Sequence, residues 1–453
     1  MGASLRIMVV DDTITYRMIM KSVAGSVAGV QVVASTSNGR EALDQLALHQ
    51  PEVILLDVEM PVLDGLETLK YLHKNHPDIT VIMVSGLSRS NANLVMECLQ
   101  AGALDFVTKP LESNATRARE ALRRDLEPIL TLLLQKKDHP AQSNTPVAPG
   151  RPVVNVDVSG PRAPVSTRTA PEPEEQKPAP FPMPRPAPSR SPASPPLPAP
   201  SVTLPPKVPP PMPRSVPTPA LRSVPSAAPR PGPSPSPVTP TAAATRSMSP
   251  HRKVSSQDKA EPMHFDLLLI GSSTGGPAAL TQLLSGIGRS LTIPTLIVQH
   301  MPPVFTASLA AQLSRTSGME VQEAQEGLPI GPGRVILAMG GFHMGIKSDA
   351  GGMVVSLNEG PRVNECRPAV DVLFQSVAEN FTGNVLAVIL TGMGRDGAQG
   401  VELLKRQKHT WCISQNQESC VVYGMPRAVE ESGLADEVLP LDKIGPRISD
   451  LCR

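Results

Sequence analysis

A long proline-rich segment divides this sequence and rules out one continuous fold. Most of the 52 prolines fall between Pro140 and Pro262, mixed with Ser, Ala, Thr and Arg and almost without aromatic residues. Such a composition cannot bury enough apolar surface to offset the entropy of ordering the chain. We therefore predict a domain at 1–137, a disordered linker with polyproline character at 138–262, and a second domain at 263–453.

Apolar runs alternate with amphipathic stretches in both domains, as strands alternate with helices. The first domain has five such runs, at residues 7–10, 30–34, 53–56, 81–84 and 103–107. Five strands alternating with helices predict a doubly wound parallel sheet. The second domain has predicted strands at 265–270, 295–298, 335–338 and 385–390, helices at 276–285, 305–317 and 368–379, and a hairpin at 343–356. We expect both domains to be α/β.

Charge and cysteine content argue against several classes of protein. The net charge is +1, with 42 basic and 41 acidic residues, so no global field favours nucleic acid or a membrane surface. The five cysteines are scattered and never form C-x-x-C, which suits a reducing cytoplasm and supports neither a disulfide framework nor a zinc site. No apolar run approaches the roughly 20 residues of a membrane span. We expect a cytoplasmic protein without direct membrane insertion.

Charged and hydroxyl side chains follow the predicted strands of the first domain. Asp11 and Asp12 follow the first strand, Asp57 ends the third, Ser85 ends the fourth, and Lys109 follows the fifth. The carboxyl ends of parallel strands converge on one crevice. Three carboxylates gathered there need a cation, and oxygen ligands suit Mg²⁺. Asp57 would then attack a phosphoryl group, while Lys109 and Ser85 bind its oxygens.

Taken singly, these residues have ordinary structural explanations, such as a helix cap, a turn or a solvated lysine. Their coincidence at four strand ends favours a site. Three motifs resemble the response-regulator receiver family over residues 1–130: Val9-Val-Asp-Asp-Thr, Leu55-Leu-Asp-Val-Glu-Met-Pro-Val-Leu-Asp-Gly and Asp105-Phe-Val-Thr-Lys-Pro. The resemblance implies that a histidine kinase donates phosphate to Asp57. It also implies that Mg²⁺ is held by Asp11, Asp12, Asp57 and the Glu59 carbonyl.

A serine follows the first predicted strand of the second domain in a glycine-rich turn. Ser273 stands in Gly271-x-Ser273-x-Gly275, the spacing of a nucleophile elbow, in which small neighbours permit a sharp turn. A serine hydroxyl needs a base, and His300 follows the next strand. Asp396, in the loop after residues 385–390, is the predicted partner of that base. The order Ser, His, Asp differs from that of α/β-hydrolases, so the elbow does not assign that fold.

The same residues allow other interpretations of this domain. The glycine-rich turn is compatible with dinucleotide binding, which expects an acid near the end of the next strand; Gln299 and His300 stand there instead. A short-chain dehydrogenase also needs Tyr-x-x-x-Lys, which none of the three tyrosines provides. Two non-catalytic hypotheses stay open. One is a receiver fused to an inactive receptor-binding module, and the other is a receiver-controlled binding module that acts through its proline-rich linker.

Five motifs of the second domain resemble the chemotaxis methylesterase domain over about residues 263–450. They are Gly271-Ser-Ser-Thr-Gly-Gly-Pro, Gln299-His-Met-Pro-Pro, Arg367-Pro-Ala-Val-Asp-Val-Leu-Phe, Leu390-Thr-Gly-Met-Gly-Arg-Asp-Gly and Cys420-Val-Val-Tyr-Gly-Met-Pro-Arg. The resemblance implies a Rossmann-like α/β fold. It also implies hydrolysis of glutamate methyl esters on chemoreceptors, with deamidation of receptor glutamines as a second activity and no cofactor for the esterase.

Within this resemblance, Ser273 is the nucleophile, His300 the base and Asp396 the group that orients it. The backbone amide of Met393 is expected to bind the oxyanion, together with that of Thr274. The family is also expected to join its domains by a short linker, with the receiver packed over the catalytic cleft. A linker of roughly 120 residues therefore predicts weaker inhibition in cis, because a long tether lowers the effective concentration of one domain near the other.

Overall fold

The computed structural model describes residues 4–110, 114–138, 264–288 and 291–452. Apart from Asp138, the predicted linker at 138–262 lies outside these residues, so its disorder stays a prediction. Within the described ranges, no helix is both long enough and apolar enough to cross a membrane.

The first domain is a five-stranded parallel sheet in the order β2-β1-β3-β4-β5. Its strands are β1 Leu5–Val10, β2 Val30–Thr36, β3 Val53–Asp57, β4 Thr80–Ser85 and β5 Asp105–Thr108. Its helices are α1 Ile14–Gly25, α2 Gly39–Asp44, α3 Leu46–His49, α4 Gly65–Asn75, α5 Arg89–Gln100 and α6 Ala115–Asp138.

Both faces of this sheet are covered, which explains why β3 is buried throughout and why β1 and β4 are largely apolar, whereas the edge strand β2 is only partly buried. Along β1, Ile7 and Val9 point into a core shared with α1 and α6, while Met8 and Val10 point into the core on the opposite face. All four side chains are buried. Neighbours along a strand point to opposite faces, so these four positions of β1 are all apolar, whereas Arg6 near the start of the strand is only partly buried.

The second domain is a seven-stranded parallel sheet in the order β14-β13-β12-β6-β7-β9-β8, with an antiparallel hairpin β10-β11. Its strands are β6 Leu267–Ser272, β7 Thr295–Gln299, β8 Val321–Glu323, β9 Val335–Leu337, β10 His343–Asp349, β11 Gly352–Asn358, β12 Val385–Ile389, β13 Thr410–Gln415 and β14 Glu437–Leu439. Its helices are α7 Gly276–Ile287, α8 Phe305–Ser317, α9 Val370–Asn380, α10 Ala398–Gln407, α11 Met425–Glu431 and α12 Leu441–Leu451.

The α/β class predicted for both domains is confirmed, and the hairpin and the four predicted strands of the second domain are present. Three strands of the large sheet were not predicted. Strands β8 and β14 have three residues each, too few to show a periodic pattern. Strand β13 (TWCISQ) mixes polar and apolar residues, because its buried Ser and Gln side chains are hydrogen-bonded rather than apolar.

In each sheet, the order in which strands are added reverses next to the first strand of the domain. The chain leaves β6 to form β7 on one side and later returns to form β12 on the other side. In the first domain, β1 lies between β2 and β3 in the same way. Ligands in open α/β sheets bind beyond the carboxyl ends of the strands at such a switch point. The loops after β6 and β12, and those after β1 and β3, therefore form the expected crevices.

The receiver-like domain packs directly on the second domain. Helix α5 packs against α7 and α8. The ring of Phe106 in β5 lies 4.5 Å from that of Phe305 at the start of α8, centroid to centroid. At the end of α6, Lys136 donates a hydrogen bond to the carbonyl of Val421. The contact thus uses the α5, β5 and α6 side of the first domain.

Candidate functional site

Ser273 lies in a tight turn between β6 and α7. Its amide donates to the carbonyl of Thr391 (3.0 Å), and its carbonyl accepts from the amide of Gly276 (2.7 Å). Gly275 follows with φ of 76°, a left-handed conformation that glycine adopts without steric cost. A strand, a sharp turn and a helix therefore follow one another, and they present the serine at the carboxyl edge of the sheet.

The loop after β12 approaches this turn closely because it carries a glycine. A methyl group at Gly392 would lie 2.7 Å from Cβ of Ser273 and 3.1 Å from its amide nitrogen. The amide of Gly392 donates to the carbonyl of Val422 (3.0 Å), and its carbonyl accepts from the amide of Met425 (2.9 Å). Because residue 392 has no side chain, its backbone can lie against the serine turn and also bond to the segment at residues 422–425.

His300 stands beside Ser273 on the neighbouring strand end. Ser272 and Gln299 are partners in the β6–β7 ladder, and the His300 amide donates to the Ser272 carbonyl (3.1 Å). The Gln299 side chain donates to the carbonyls of Ser273 (2.9 Å) and His300 (3.1 Å). Gln299 therefore fixes both backbones, a role that sequence reasoning did not assign to it.

A buried hydrogen bond of 2.7 Å joins Nε2 of His300 to Oδ2 of Asp396. The side chains are only 10% and 2% exposed, so water screens the pair weakly. Burial lowers the pKa of His300, but hydrogen bonds to Asp396 and Cys366 outweigh it and raise that pKa to about 10. Burial opposes ionisation of Asp396 as well, yet His300 lowers the pKa of the carboxyl to about 2. At neutral pH the pair is an imidazolium and a carboxylate.

Since Nε2 of His300 faces Asp396, Nδ1 is the ring nitrogen left for the serine. No hydrogen bond joins Oγ of Ser273 to this ring in the part of the chain that the structure describes. Such bonds in unliganded enzymes are often long and tighten only around substrate. The structure thus brings together the loops that carry Ser273, His300 and Asp396.

Two backbone amides near Ser273 are available to a ligand. Among the described residues, neither Thr274 nor Met393 uses its amide in a hydrogen bond. The Thr274 carbonyl accepts from Oγ1 of Thr391 (3.0 Å), which orients this peptide unit. Preorganised donors of this kind stabilise the charge that develops on a carbonyl oxygen under attack.

The carboxylates of the first domain converge as predicted. Ligand atoms of Asp11, Asp12 and Asp57 all lie within 4.8 Å of one another. Nζ of Lys109 lies 2.7 Å from one oxygen of Asp11 and 2.7 Å from one of Asp57. Burial raises the pKa of Asp57 to about 6, although Lys109 opposes the shift. Asp11 and Asp57 are buried and Asp12 is exposed at the mouth of the crevice, and these three carboxylates form a donor set that fits a hard divalent cation.

The remaining predicted receiver residues lie at the same edge. Ser85 is buried at the end of β4, where its carbonyl accepts from the amide of Lys109 (2.7 Å). Its hydroxyl donates to the carbonyl of Gly86 (3.2 Å). Glu59 is exposed just after β3, and no described residue donates a hydrogen bond to its carbonyl. That carbonyl is available as a further oxygen ligand.

Comparison with known proteins matches both domains. A family model described as the response regulator receiver domain matches residues 7–120, and one described as CheB methylesterase matches residues 268–448. A protein-glutamate methylesterase/protein-glutamine glutaminase from Desulfotalea psychrophila is 34% identical over 98% of each chain. One of a group 2 operon in Rhodopseudomonas palustris is 35% identical, covering 98% of this chain and 93% of the relative. The CheB methylesterase catalytic domain of Thermotoga maritima is 41% identical, covering 42% of this chain and all of that one, with a TM-score of 0.40.

The fold and the family matches define a hydrolase domain joined to a response-regulator receiver domain. The chain belongs to the CheB methylesterase family, whose members combine a response-regulator receiver with a chemotaxis methylesterase domain. It is therefore an enzyme of the methylesterase class, and the dinucleotide-binding and binding-module hypotheses are not favoured. The two relatives match this chain over nearly their whole length, and how the linker affects inhibition stays a prediction.

Proposed function

We propose that this enzyme hydrolyses glutamate methyl esters on chemoreceptors and deamidates receptor glutamines, with Ser273 as nucleophile, His300 as base and Asp396 as its orienting partner. The observation that carries the assignment is the buried 2.7 Å bond between His300 and Asp396 beside the serine turn. A histidine held by a buried carboxylate next to a strand-end serine is the arrangement that activates a hydroxyl nucleophile. The relatives named above carry both activities in their names.

The chemistry follows from this arrangement. Neutral His300 accepts the Ser273 proton on Nδ1 while Oγ attacks the ester carbonyl. The amides of Met393 and Thr274 donate to the resulting oxyanion. The C–O bond to the methoxy group then breaks, and the histidine proton leaves with methanol. Water, deprotonated by His300, releases the glutamate carboxylate from Ser273; a glutamine substrate loses ammonia in the same way.

The receiver takes a phosphoryl group from a chemotaxis histidine kinase on Asp57 in this proposal. Asp11, Asp12, Asp57 and the Glu59 carbonyl would hold Mg²⁺, which when bound neutralises the crowded carboxylates and the phosphoryl oxygens. Lys109, already 2.7 Å from Asp57, and the Ser85 hydroxyl would bind the phosphoryl oxygens. With chemoreceptors and the kinase as its partners, the enzyme would act in the cytoplasm. Its functional domains would be residues 1–137 and 263–453.

Inhibition by the receiver would act at the nucleophile turn. The carboxyl of Asp105, at the start of β5, interacts with the Thr274 side chain, one residue from Ser273. Leu132 and Gln135 of α6 line a groove with Met393, whose amide we assign to the oxyanion. Receptor segments must reach this region, so a docked receiver obstructs them. Phosphorylation at Asp57 raises activity if it favours the undocked state.

Methanol release from a methylated receptor fragment tests the assignment. Ser273→Ala should reduce turnover by about 10³-fold or more. Ser285→Ala is the matched control, since this exposed hydroxyl on α7 donates to the carbonyl of Thr281 in its own helix and to no other described residue. The control should match the wild-type enzyme. Methanol release by Ser273→Ala at the wild-type rate would remove the serine from the mechanism.

A further inference from the structure

Asp396 is held by more donors than His300 alone. Its Oδ2 accepts from the amide of Val370 (2.6 Å), and its Oδ1 accepts from the amide of Asp371 (3.0 Å). These are the first two amides of α9, so Asp396 caps that helix although it lies outside it. The side-chain amide of Asn364 donates to the same Oδ1 through its Nδ2, at 2.8 Å.

Asp371 caps the other helix in return. Its Oδ1 accepts from the amides of Gly397 (2.9 Å) and Gly400 (2.7 Å) at the start of α10. Asp396 therefore caps α9, the helix that contains Asp371. Asp371 caps α10, the helix that begins just after Asp396. This arrangement brings two buried carboxylates together, and both are less than a tenth exposed.

Two carboxylates that cap neighbouring helices repel each other when both are ionised, because burial screens their charges weakly. Burial and the charge of Asp396 raise the pKa of Asp371 to about 6, whereas His300 keeps Asp396 ionised. Asn364 lies between the two groups. Its Nδ2 carries two protons, and it donates to Oδ2 of Asp371 (2.9 Å) and to Oδ1 of Asp396 (2.8 Å). One amide therefore bridges both acceptors.

The chain delivers this amide through a tight turn. Val363 and Cys366 exchange backbone hydrogen bonds of 3.1 and 2.9 Å. The two residues between them, Asn364 and Glu365, have φ of 50° and 62°. Positive φ at both central positions defines the type I′ turn, in which Asn and Gly are favoured. Cys366, at the end of the same turn, contacts His300. The turn thus reaches both members of the His–Asp pair.

We propose that Asn364 is a positioning residue for the esterase: its amide bridges Asp371 and Asp396 and thereby holds Asp396 against His300. This inference rests on the proposed role of the His300–Asp396 pair. Sequence reasoning gave no signal for it, because an asparagine in a turn is explained by its backbone conformation alone. That simpler explanation gives the side-chain amide no role. Mutagenesis distinguishes the turn-only explanation from the bridge.

The test uses the full-length enzyme and methanol release from a methylated receptor fragment over a range of pH. Asn364→Gly keeps the positive φ and removes only the amide. Glu365→Gly is the matched control, because it changes the neighbouring, exposed position of the same turn. Among the described residues, the Glu365 side chain makes no hydrogen bond or ion pair, and only its backbone carbonyl accepts one. Asn364→Asp keeps the shape and the turn preference but replaces the donor by an acceptor, so it serves if the glycine variant folds poorly.

We expect Asn364→Gly to lower kcat by about 10-fold, the size of a lost hydrogen bond to a charged acceptor, with KM little changed. The pH at half-maximal kcat/KM should fall, because Asp396 freed from the bridge is repelled by Asp371 and pairs less well with His300. Asn364→Asp should lose at least as much activity, and Glu365→Gly should match the wild type. In an Asp396→Asn background, Asn364→Gly should cost little more, since its target is already altered.

Several results would overturn the proposal. Asn364→Gly with an unchanged pH midpoint, whatever its melting temperature, would leave the residue a purely structural role. A rise in KM alone would make it a substrate contact. Full additivity with Asp396→Asn would show that it does not act through that carboxylate. A Ser273→Ala enzyme that stays active would instead contradict the proposed mechanism itself, independently of these variants.

Discussion

The aromatic rings of Phe106 and Phe305 lie 4.5 Å apart between centroids, and they join β5 of the receiver to the first turn of α8 in the catalytic domain. The residue before Phe106 is Asp105, whose carboxyl interacts with the Thr274 side chain next to Ser273, the proposed nucleophile. One short receiver strand therefore anchors the docked state and reaches the catalytic turn. The preceding strand, β4, ends at Ser85, next to the partner of Asp57, the proposed phosphorylation site, in the β3–β4 ladder. Changes at that site thus have a short structural route to the catalytic domain.

Removing the anchor should release inhibition. Phe106→Ala loses an aromatic contact across the interface, so the unphosphorylated full-length enzyme should become faster by about 2–20-fold, a typical coupling between two sites. The isolated catalytic domain, 263–453, gives the upper reference for this gain. Leu48→Ala, at an exposed position of α3 away from the interface, is the control. If the isolated domain is slower than unphosphorylated full-length enzyme, the receiver is no inhibitor.

The pH dependence should report on His300. Its pKa is raised to about 10, so the imidazolium dominates at neutral pH and cannot accept the serine proton. We expect kcat/KM to rise with pH above 7 and to fall as pH drops. Asp396→Asn should lower kcat by about 10²–10⁴-fold and move the midpoint down towards about 6.5, the reference value.

The control for this profile is Cys366→Ser, which keeps a side chain of similar size beside His300 but removes the thiol. It should shift the midpoint less than Asp396→Asn does. A rate that is flat between about pH 5 and 8, with chemistry limiting, would count against His300 as general base.

Gly392→Ala should damage the site by crowding. Its methyl group would lie 2.7 Å from Cβ of Ser273, so the serine turn must shift. A displacement of about 1 Å can cost about 10²-fold in rate, and overpacking costs about 1–3 kcal/mol of unfolding free energy. Gly351→Ala in the open tip of the β10–β11 hairpin is the control, since its methyl group meets nothing within 4 Å. Wild-type kinetics in Gly392→Ala would refute the close packing.

The fold and the ends of its main strands could be predicted because their signals are local. Ser273, His300 and Asp57 each follow an apolar run that must be a buried strand, and the topology of parallel sheets then gathers them. The bridge from Asn364 to Asp371 and Asp396 could not be predicted. It depends on the tertiary contact between the turn after β11 and the first residues of α9 and α10, and no local sequence pattern indicates that contact. The contact between Asp105 and Thr274 crosses domains and has no local signal either.

Control of the esterase by its receiver is tested by methanol release from the full-length enzyme with and without a small-molecule phosphodonor and Mg²⁺. The wild-type enzyme should release methanol from a methylated receptor fragment faster when the donor is present, and Asp57→Ala should show the basal rate under both conditions. Ser273→Ala should be inactive under both conditions. Equal stimulation of wild type and Asp57→Ala, or no stimulation of a wild type whose Asp57 is demonstrably phosphorylated, would contradict control of this esterase by its receiver.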